Sequence, residues 1–411
     1  MPSPGQLPRG ARERLIGAAL PVKLDRSAPA AEVQASLADA LLRLTTELSE
    51  RAESSEQATV GDPLGRWQLL SALGRTDLVL ARLVEGHLDA HAILTEAGRS
   101  AVTGALYGVW ASASGGTGLT VEYGRNHISG AQSGGFGQNR QEERPGEHDA
   151  VVSGLMRFCS GALLLDRALI TARHGDGLLL LDINVRDDRL AAIPGSWPAL
   201  GMDASASLDV EVAELPVDAG AVIGPPGFYT ERAGLHLGGI GVAAAWIGGT
   251  QGLIDATLRV LDGHEPDAHG LAHVGAVSVA VESAAATMLS AAERISHAPV
   301  DPVTGLCDLP AQELARIALL CRSCAEAAAQ VAIQRLPRVV GPVALGRDAD
   351  FAHRLADLEV FVRQHHGERD LARLGAAEFA EPWTDGAVPE QSWWFTSKPP
   401  GFGPAAPPVI R

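Results

Sequence analysis

Aromatic residues are scarce in this chain, at 4% of 411 positions. That scarcity argues against a wide barrel lined with rings, and the abundant alanine and glycine favour closely packed helices. Cysteine is nearly absent as well. Cys159, Cys307, Cys321 and Cys324 are too few for a disulfide scaffold in a chain of this length, and a reducing cytoplasm is the expectation. Basic residues are in deficit, 33 against 49 acidic ones, for a formal charge of -16. No basic block or basic amphipathic helix occurs, so neither a nucleic-acid surface nor a membrane surface is expected. The opening MPSPGQLPRGARERL lacks the apolar run of a signal peptide. One long apolar run exists, LHLGGIGVAAAWIGGTQGLI at 235–254. Its glycine density and solitary occurrence predict a buried core helix rather than membrane insertion. Also missing are a GxGxxG after a strand, a GxxxxGK[ST] and a GxSxG elbow, which argues against nicotinamide, nucleoside-triphosphate and serine-hydrolase chemistry.

What is present falls into three zones. Helical patterns such as AAEVQASLADALLRLTTELSERA and DLVLARLVEGHLDAHAILTEAG occupy the part up to about residue 105. From 106 to 222 the pattern changes to short aliphatic runs, among them HDAVVSG, DRALITAR, GLLLLDINV and ASLDVEVAELPV, separated by Gly-, Asp- and Pro-rich turns. This middle zone predicts a β-barrel or sandwich. From 223 to 376 helical periodicity returns, with candidates at 234–262, 270–297, 310–336 and 348–366. Four long helices with short links predict an antiparallel bundle. Residues 377–411, rich in Pro, Gly and Trp, form a tail.

The order of zones, together with three local motifs, resembles the acyl-CoA dehydrogenase superfamily of flavoproteins. VVSGLMRFCSGALLLDRALITAR (151–173) is similar to the family's G-x-K-x-aromatic-I-T-N segment, with Gly154 at the glycine, Phe158 at the aromatic, Cys159 at the aliphatic and Ser160 at the threonine. GMDASASLDVEVAELPV (201–217) is similar to the G-M-R-x-S-x-T segment and the strand after it. GVWASASGGTG (108–118), with Trp110, Ser112 and Thr117, is placed like the T-E-P-x-A-G-S-D loop, although its glutamate, proline and aspartate are missing. The resemblance implies an α+β chain of three parts: an N-terminal helical domain, a middle β domain and a C-terminal antiparallel four-helix bundle. It implies FAD framed by Trp110, Ser112, Thr117, Phe158, Cys159 and Ser160. It further implies a homodimer or homotetramer that desaturates an acyl thioester and passes electrons to an electron-transfer flavoprotein. Hydroxyls and backbone N–H groups at these strand ends are suited to the hydrogen bonds that N5 and N1 of a flavin require.

The sequence departs from that pattern where the chemistry lies. The family's base is a glutamate in Y-E-G-T, eight residues after the aspartate of R-D-A. In DLEVFVRQHHGERD, eight residues from Asp357 lead to His365, followed by His366 and Gly367. Read locally, the two histidines suit the last turn of a helix with glycine as its stop. Read against the family, they stand in place of the carboxylate, and an imidazole with a pKa near 6.5 is a competent base. Glu231, in the E-R pair of FYTERAGLHLGG, is a second candidate base, with an exposed first-turn acid as the plainer reading. The family's R-x-x-F-G arginine for the FAD pyrophosphate is absent, and LDGHEPDAHGLAHVG stands there. His264, Asp267, His269 and His273 in that segment complete no metal motif, and the Cys321-x-x-Cys324 pair lies in a helical pattern with no βαβ context. Two alternatives accompany desaturation: a two-component flavin monooxygenase on the same fold, and a member that keeps the fold for binding or assembly without turnover.

Overall fold

The computed structural model of the protein describes residues 25, 28, 30–54, 63–111, 118–123, 150–299 and 307–380. Ser112, Thr117 and the tail beyond 380 lie outside the described residues. Among the described residues, the N-terminal helices are α1 (Ala30–Ser54), α2 (Pro63–Thr76) and α3 (Leu78–Glu96). In α1, Val33, Leu37, Leu41 and Leu44 recur at helical spacing, and all four are buried. The carboxylate of Asp77 caps α3 by accepting from the N–H groups of Val79 and Leu80 at 2.8 and 3.0 Å.

Eight strands follow among the described residues: β1 (Tyr107–Trp110), β2 (Thr120–Tyr123), β3 (Ala150–Cys159), β4 (Arg167–His174), β5 (Gly177–Asn184), β6 (Leu190–Ala192), β7 (Leu208–Val217) and β8 (Val222–Ile223). They form one mixed sheet in the order β6-β7-β3-β2-β4-β5-β8, with β1 pairing parallel to β4. Among the described residues the path runs from β6 to β8, in keeping with the β-barrel or sandwich domain expected for this zone. β4 reads as a continuous apolar run because it is covered on both faces, Ala168 to Ala172 being buried throughout.

The C-terminal helices are the one-turn α4 (Phe228–Glu231), α5 (Gly234–Leu261), α6 (Ala268–His297), α7 (Ala311–Arg347), α8 (Ala349–Phe361) and α9 (Glu368–Ala380). α5 is the core helix that its sequence predicts. Its glycines let α2 approach so closely that a Cβ at Gly248 would overlap the Ser71 carbonyl. Two expectations need correction. α7 does not stop before Pro337 but continues through it and breaks at Gly341, which takes φ 72°. α8 ends at Phe361, followed by a short 3-10 turn and then an extended His365 (φ -76°, ψ 132°). The histidine pair therefore sits in the α8–α9 connection and not in the last turn of a helix.

α3 is fastened to the sheet by a buried histidine. The Tyr107 N–H donates to His87 Nδ1 at 3.2 Å, and the His91 ring stacks obliquely against His87 at 4.4 Å. Burial, and secondarily His91, lowers the His87 pKa from 6.5 to about 3. Between those values the unfolded chain takes up a proton that the folded one refuses. Stability is thus complete above about pH 6.5 and declines as pH falls through this window. His87→Asn, which keeps an acceptor for Tyr107, should flatten the urea-unfolding stability profile between pH 6.5 and 4 by up to about 1.4 kcal/mol per pH unit. An unchanged profile would contradict this account.

Candidate functional site

Loop 201–207 carries the GMDASAS motif and is moulded onto α8. Gly201 abuts the helix so tightly that a Cβ would overlap the Ala356 carbonyl. Met202 adopts φ 57° and Ala206 φ 44°, both left-handed conformations that side chains rarely take. The strain at Met202 is held by the buried carboxylate of Asp357, which accepts the Met202 N–H at 2.5 Å. The serines of the loop then run toward the end of β3. Ser205 Oγ donates to the Met202 carbonyl at 2.6 Å and lies 2.7 Å from Ser207 Oγ, which is 2.9 Å from Ser160 Oγ. The loop backbone also secures this end, since the Gly161 N–H donates to the Ser205 carbonyl at 2.7 Å.

The end of β3 presents an open aromatic face. A register shift between Met156 and Cys159 turns Phe158 into a left-handed backbone (φ 60°) and leaves its ring 45% exposed, edge-on to Trp197 at 6.2 Å. Such strain at an exposed aromatic marks a site better than a core. Two of the framing residues read from the sequence have other roles. Trp110 is buried at 4% exposure, and its indole N–H donates to the Ser160 carbonyl at 2.9 Å, so it buttresses the turn rather than covering a ligand. Cys159 is fully buried in the core, its thiol pushed far up by burial, and cannot reach a ligand at this surface.

Just beyond the C-terminal end of α8 the two histidines divide their roles. The His365 side chain is only 1% exposed. Its Nδ1 accepts the Gly367 N–H at 3.2 Å, which leaves the neutral ring protonated at Nε2, 3.1 Å from Ser323 Oγ. Burial lowers its pKa, outweighing the opposing pull of Asp370 and Glu326. With both nitrogens engaged, His365 has no lone pair to offer a substrate. His366 is different. Its side chain is 46% exposed, and its Nδ1 meets the Asp370 carboxylate at 3.2 Å. Asp370 also accepts the His366 backbone N–H at 3.1 Å. Burial would raise the Asp370 pKa, but the His366 N–H and imidazole outweigh it and hold the carboxyl below its ordinary range. An ionised Asp370 fixes the His366 proton on Nδ1 and leaves the Nε2 lone pair facing outward, the arrangement of an oriented base.

α3 borders the β3 end of the site and also faces α7. Leu83 packs against Gly161, and the charge of Glu85 reaches Arg322 on α7. Arg322 lies over the Trp246 ring at 4.7 Å and donates to the carbonyls of Gly239 and Gln364, at 3.0 and 2.7 Å. It thereby ties α5 to the residue just before His365. Glu231 is on the outside, at the exposed end of α4. Its neighbour Arg232 is the buried member of the pair, 3.1 Å from Glu96 and 3.4 Å from Asp89. Glu231 is thus exposed, in keeping with the plainer first-turn reading. Ser205, Ser207, Asp370 and Ser323 were not singled out in the sequence, although the first three lie inside quoted motifs. The i, i+4 spacing of His366 and Asp370 was the available signal for the third.

Among the described residues, no group of three or more His, Cys, Asp or Glu side chains is placed to hold a metal. A cavity of about 210 Å³ lined by Val121, Tyr123, Ala150 and Leu181 lies by the opposite end of β3, away from this chemistry.

The architecture and its order of domains are those of the acyl-CoA dehydrogenase fold. TdsC, a dibenzothiophene monooxygenase from Paenibacillus sp. A11-2 solved with FMN and indole, superimposes with a TM-score of 0.68 at 15% identity, over 90% of this chain and 96% of that one. MsuC, a methanesulfinate monooxygenase from Pseudomonas fluorescens, gives 0.65 at 18% identity, over 91% and 97%. XiaF from Streptomyces sp., solved with FADH2 and glycerol, gives 0.66 at 15% identity, over 92% and 98%. No family model matches the sequence, and no curated protein matches it.

Asp357→Ala would leave the buried Met202 N–H unsatisfied and should cost about 1–3 kcal/mol, with faster amide exchange confined at first to loop 201–207. Asp357→Asn keeps the acceptor and should recover most of that loss. Equal stability of wild type and Asp357→Ala in urea would contradict the assignment.

Proposed function

We propose that this chain is a flavin-dependent monooxygenase that takes its flavin in the reduced form from a separate reductase. The observation that carries the reading is the His366–Asp370 pair, which adjoins His365, the residue that the resemblance places at a dehydrogenase's carboxylate base. Acyl-thioester desaturation finds no support: His365 replaces the glutamate, and Glu231 is at the surface. An electron-transfer flavoprotein is then not required, and dioxygen and a reductase take its place. The neighbours solved with FMN or FADH2 support a flavin as a class.

The residues present fit such a group. The exposed ring of Phe158 can cover a flat heteroaromatic system, and Ser160 beside it can meet its polar edge. The missing R-x-x-F-G arginine favours FMN over FAD. When bound, the flavin supplies the redox chemistry. The chain's own contribution is to take up a proton at His366 Nε2, with Asp370 fixing the tautomer and His365, Ser323 and Arg322 fixing the loop. The substrate is a small molecule. The outer face of α6 supports a homodimer: Leu271, Val279 and Leu289 are 45%, 68% and 54% exposed, on a helix whose most apolar window is only 28% buried.

Purified protein should bind reduced FMN at micromolar concentration and consume dioxygen when supplied with a flavin reductase. His366→Ala should lower that rate about 10²–10⁴-fold with little change in flavin affinity. Bleaching of bound oxidised flavin by an acyl-CoA would instead favour desaturation, and failure to bind any flavin would leave only a non-redox role. Val279→Glu should shift a dimer toward monomer in light scattering, and an unaltered dimer would clear α6 of the interface.

A further inference from the structure

The serine chain has a direction, and that direction determines what Ser160 can offer a ligand. A serine hydroxyl has one proton to donate and two lone pairs to accept with. Ser205 Oγ stands 2.6 Å from the Met202 carbonyl oxygen, which can only accept, so the Ser205 proton is committed there. In the 2.7 Å contact between Ser205 and Ser207, the donor must then be Ser207. That uses the only Ser207 proton, and in the 2.9 Å contact between Ser207 and Ser160 the donor must be Ser160. The chain is anchored so that it cannot reverse. The Met202 carbonyl belongs to a residue held left-handed by Asp357, and Ser205 and Ser207 are buried, with no solvent to exchange partners with.

Ser160, which is only partly buried, therefore faces the site with lone pairs and no proton. This reverses the expectation that its hydroxyl donates to a flavin nitrogen. Oxidised flavin presents an acceptor at N5, and two acceptors facing each other repel. Reduced flavin carries N5–H, a donor that a lone pair on Ser160 satisfies. We infer that Ser205 and Ser207 are specificity-determining residues, which set Ser160 as an acceptor and make the site select the reduced over the oxidised flavin. The inference rests on the flavin reading above and deepens it. It gives a physical reason why a chain of this kind would take reduced flavin from elsewhere and release it once oxidised. Neither serine touches the ligand; both act through Ser160.

Anaerobic titration of the full chain with FMN in both redox states tests this. Wild type should bind reduced FMN at least about tenfold more tightly than oxidised FMN, which raises the potential of the bound two-electron couple by about 30 mV over free FMN. Ser207→Ala frees the Ser160 proton to turn toward the ligand. Oxidised FMN should then bind more tightly than to wild type, and the ratio should fall about 3–10-fold. In a Ser160→Ala background, Ser207→Ala should have no effect on the ratio. Equal affinity of wild type for both states, or a ratio unmoved by Ser207→Ala, overturns the inference and leaves the flavin reading standing. Binding of neither state to wild type overturns the flavin reading, and this inference with it. Should Ser207→Ala fail to fold, neutron diffraction of the wild-type crystal decides. A deuteron on Ser160 Oγ directed at Ser207 supports the chain direction, and one directed away overturns it.

Discussion

The carboxylate of Asp357 holds the Met202 N–H, and through it the β domain is locked onto the helical bundle. Without that acceptor, a buried backbone donor in a strained left-handed residue would have no partner, and loop 201–207 would lose its tie to α8. With it, three serines line up behind Phe158, and α8 runs on directly into the histidine connection. One helix thus carries both halves of the candidate site: its middle fixes the serine chain, and its C-terminal end places His365 and His366. This economy suits a fold in which a sheet and a bundle must meet at one ligand, because a single rigid element keeps the two sides in register.

Burial then assigns different work to chemically identical groups. His365 and His366 are adjacent, yet the first is enclosed with both nitrogens engaged and the second has a free Nε2 backed by an ionised carboxylate. The same division separates Glu231 from Arg232, and Cys159 from Phe158. In each pair the buried member packs into the frame, Arg232 through its ion pairs with Glu96 and Asp89, while its neighbour is exposed. Arg322 illustrates the cost of such framing. Burial disfavours its charge, opposed by the fields of Asp370 and Glu85, and its donors are spent on two carbonyls that tie α5 to the histidine loop.

Much of this was legible in the sequence, for reasons that can be named. Periodicity revealed α1, α3 and the long bundle helices because each buries a continuous stripe, and α5 because its glycines and aliphatics leave no polar face. The β3 end with Phe158 and Ser160 was singled out from a short motif, as was the departure from glutamate at His365. What could not be read was tertiary. A histidine pair followed by glycine looks like a helix end, and only the packing of Ser323 and Asp370 shows which ring is enclosed. Trp110 and Cys159 were assigned to the ligand because motif position carries no information about which face of a strand is covered. The direction of the hydroxyl chain depends on the Met202 carbonyl, whose placement follows from a contact between residues 155 positions apart.

The central claim is that Phe158, Ser160 and the His366–Asp370 pair surround one flavin ring system. The most direct measurement is a crystal structure of the protein soaked anaerobically with reduced FMN. The account predicts an isoalloxazine against Phe158, with N5 within hydrogen-bond distance of Ser160 Oγ and His366 facing the same space. A flavin bound elsewhere on the chain, or one that leaves Ser160 and His366 untouched, would contradict it.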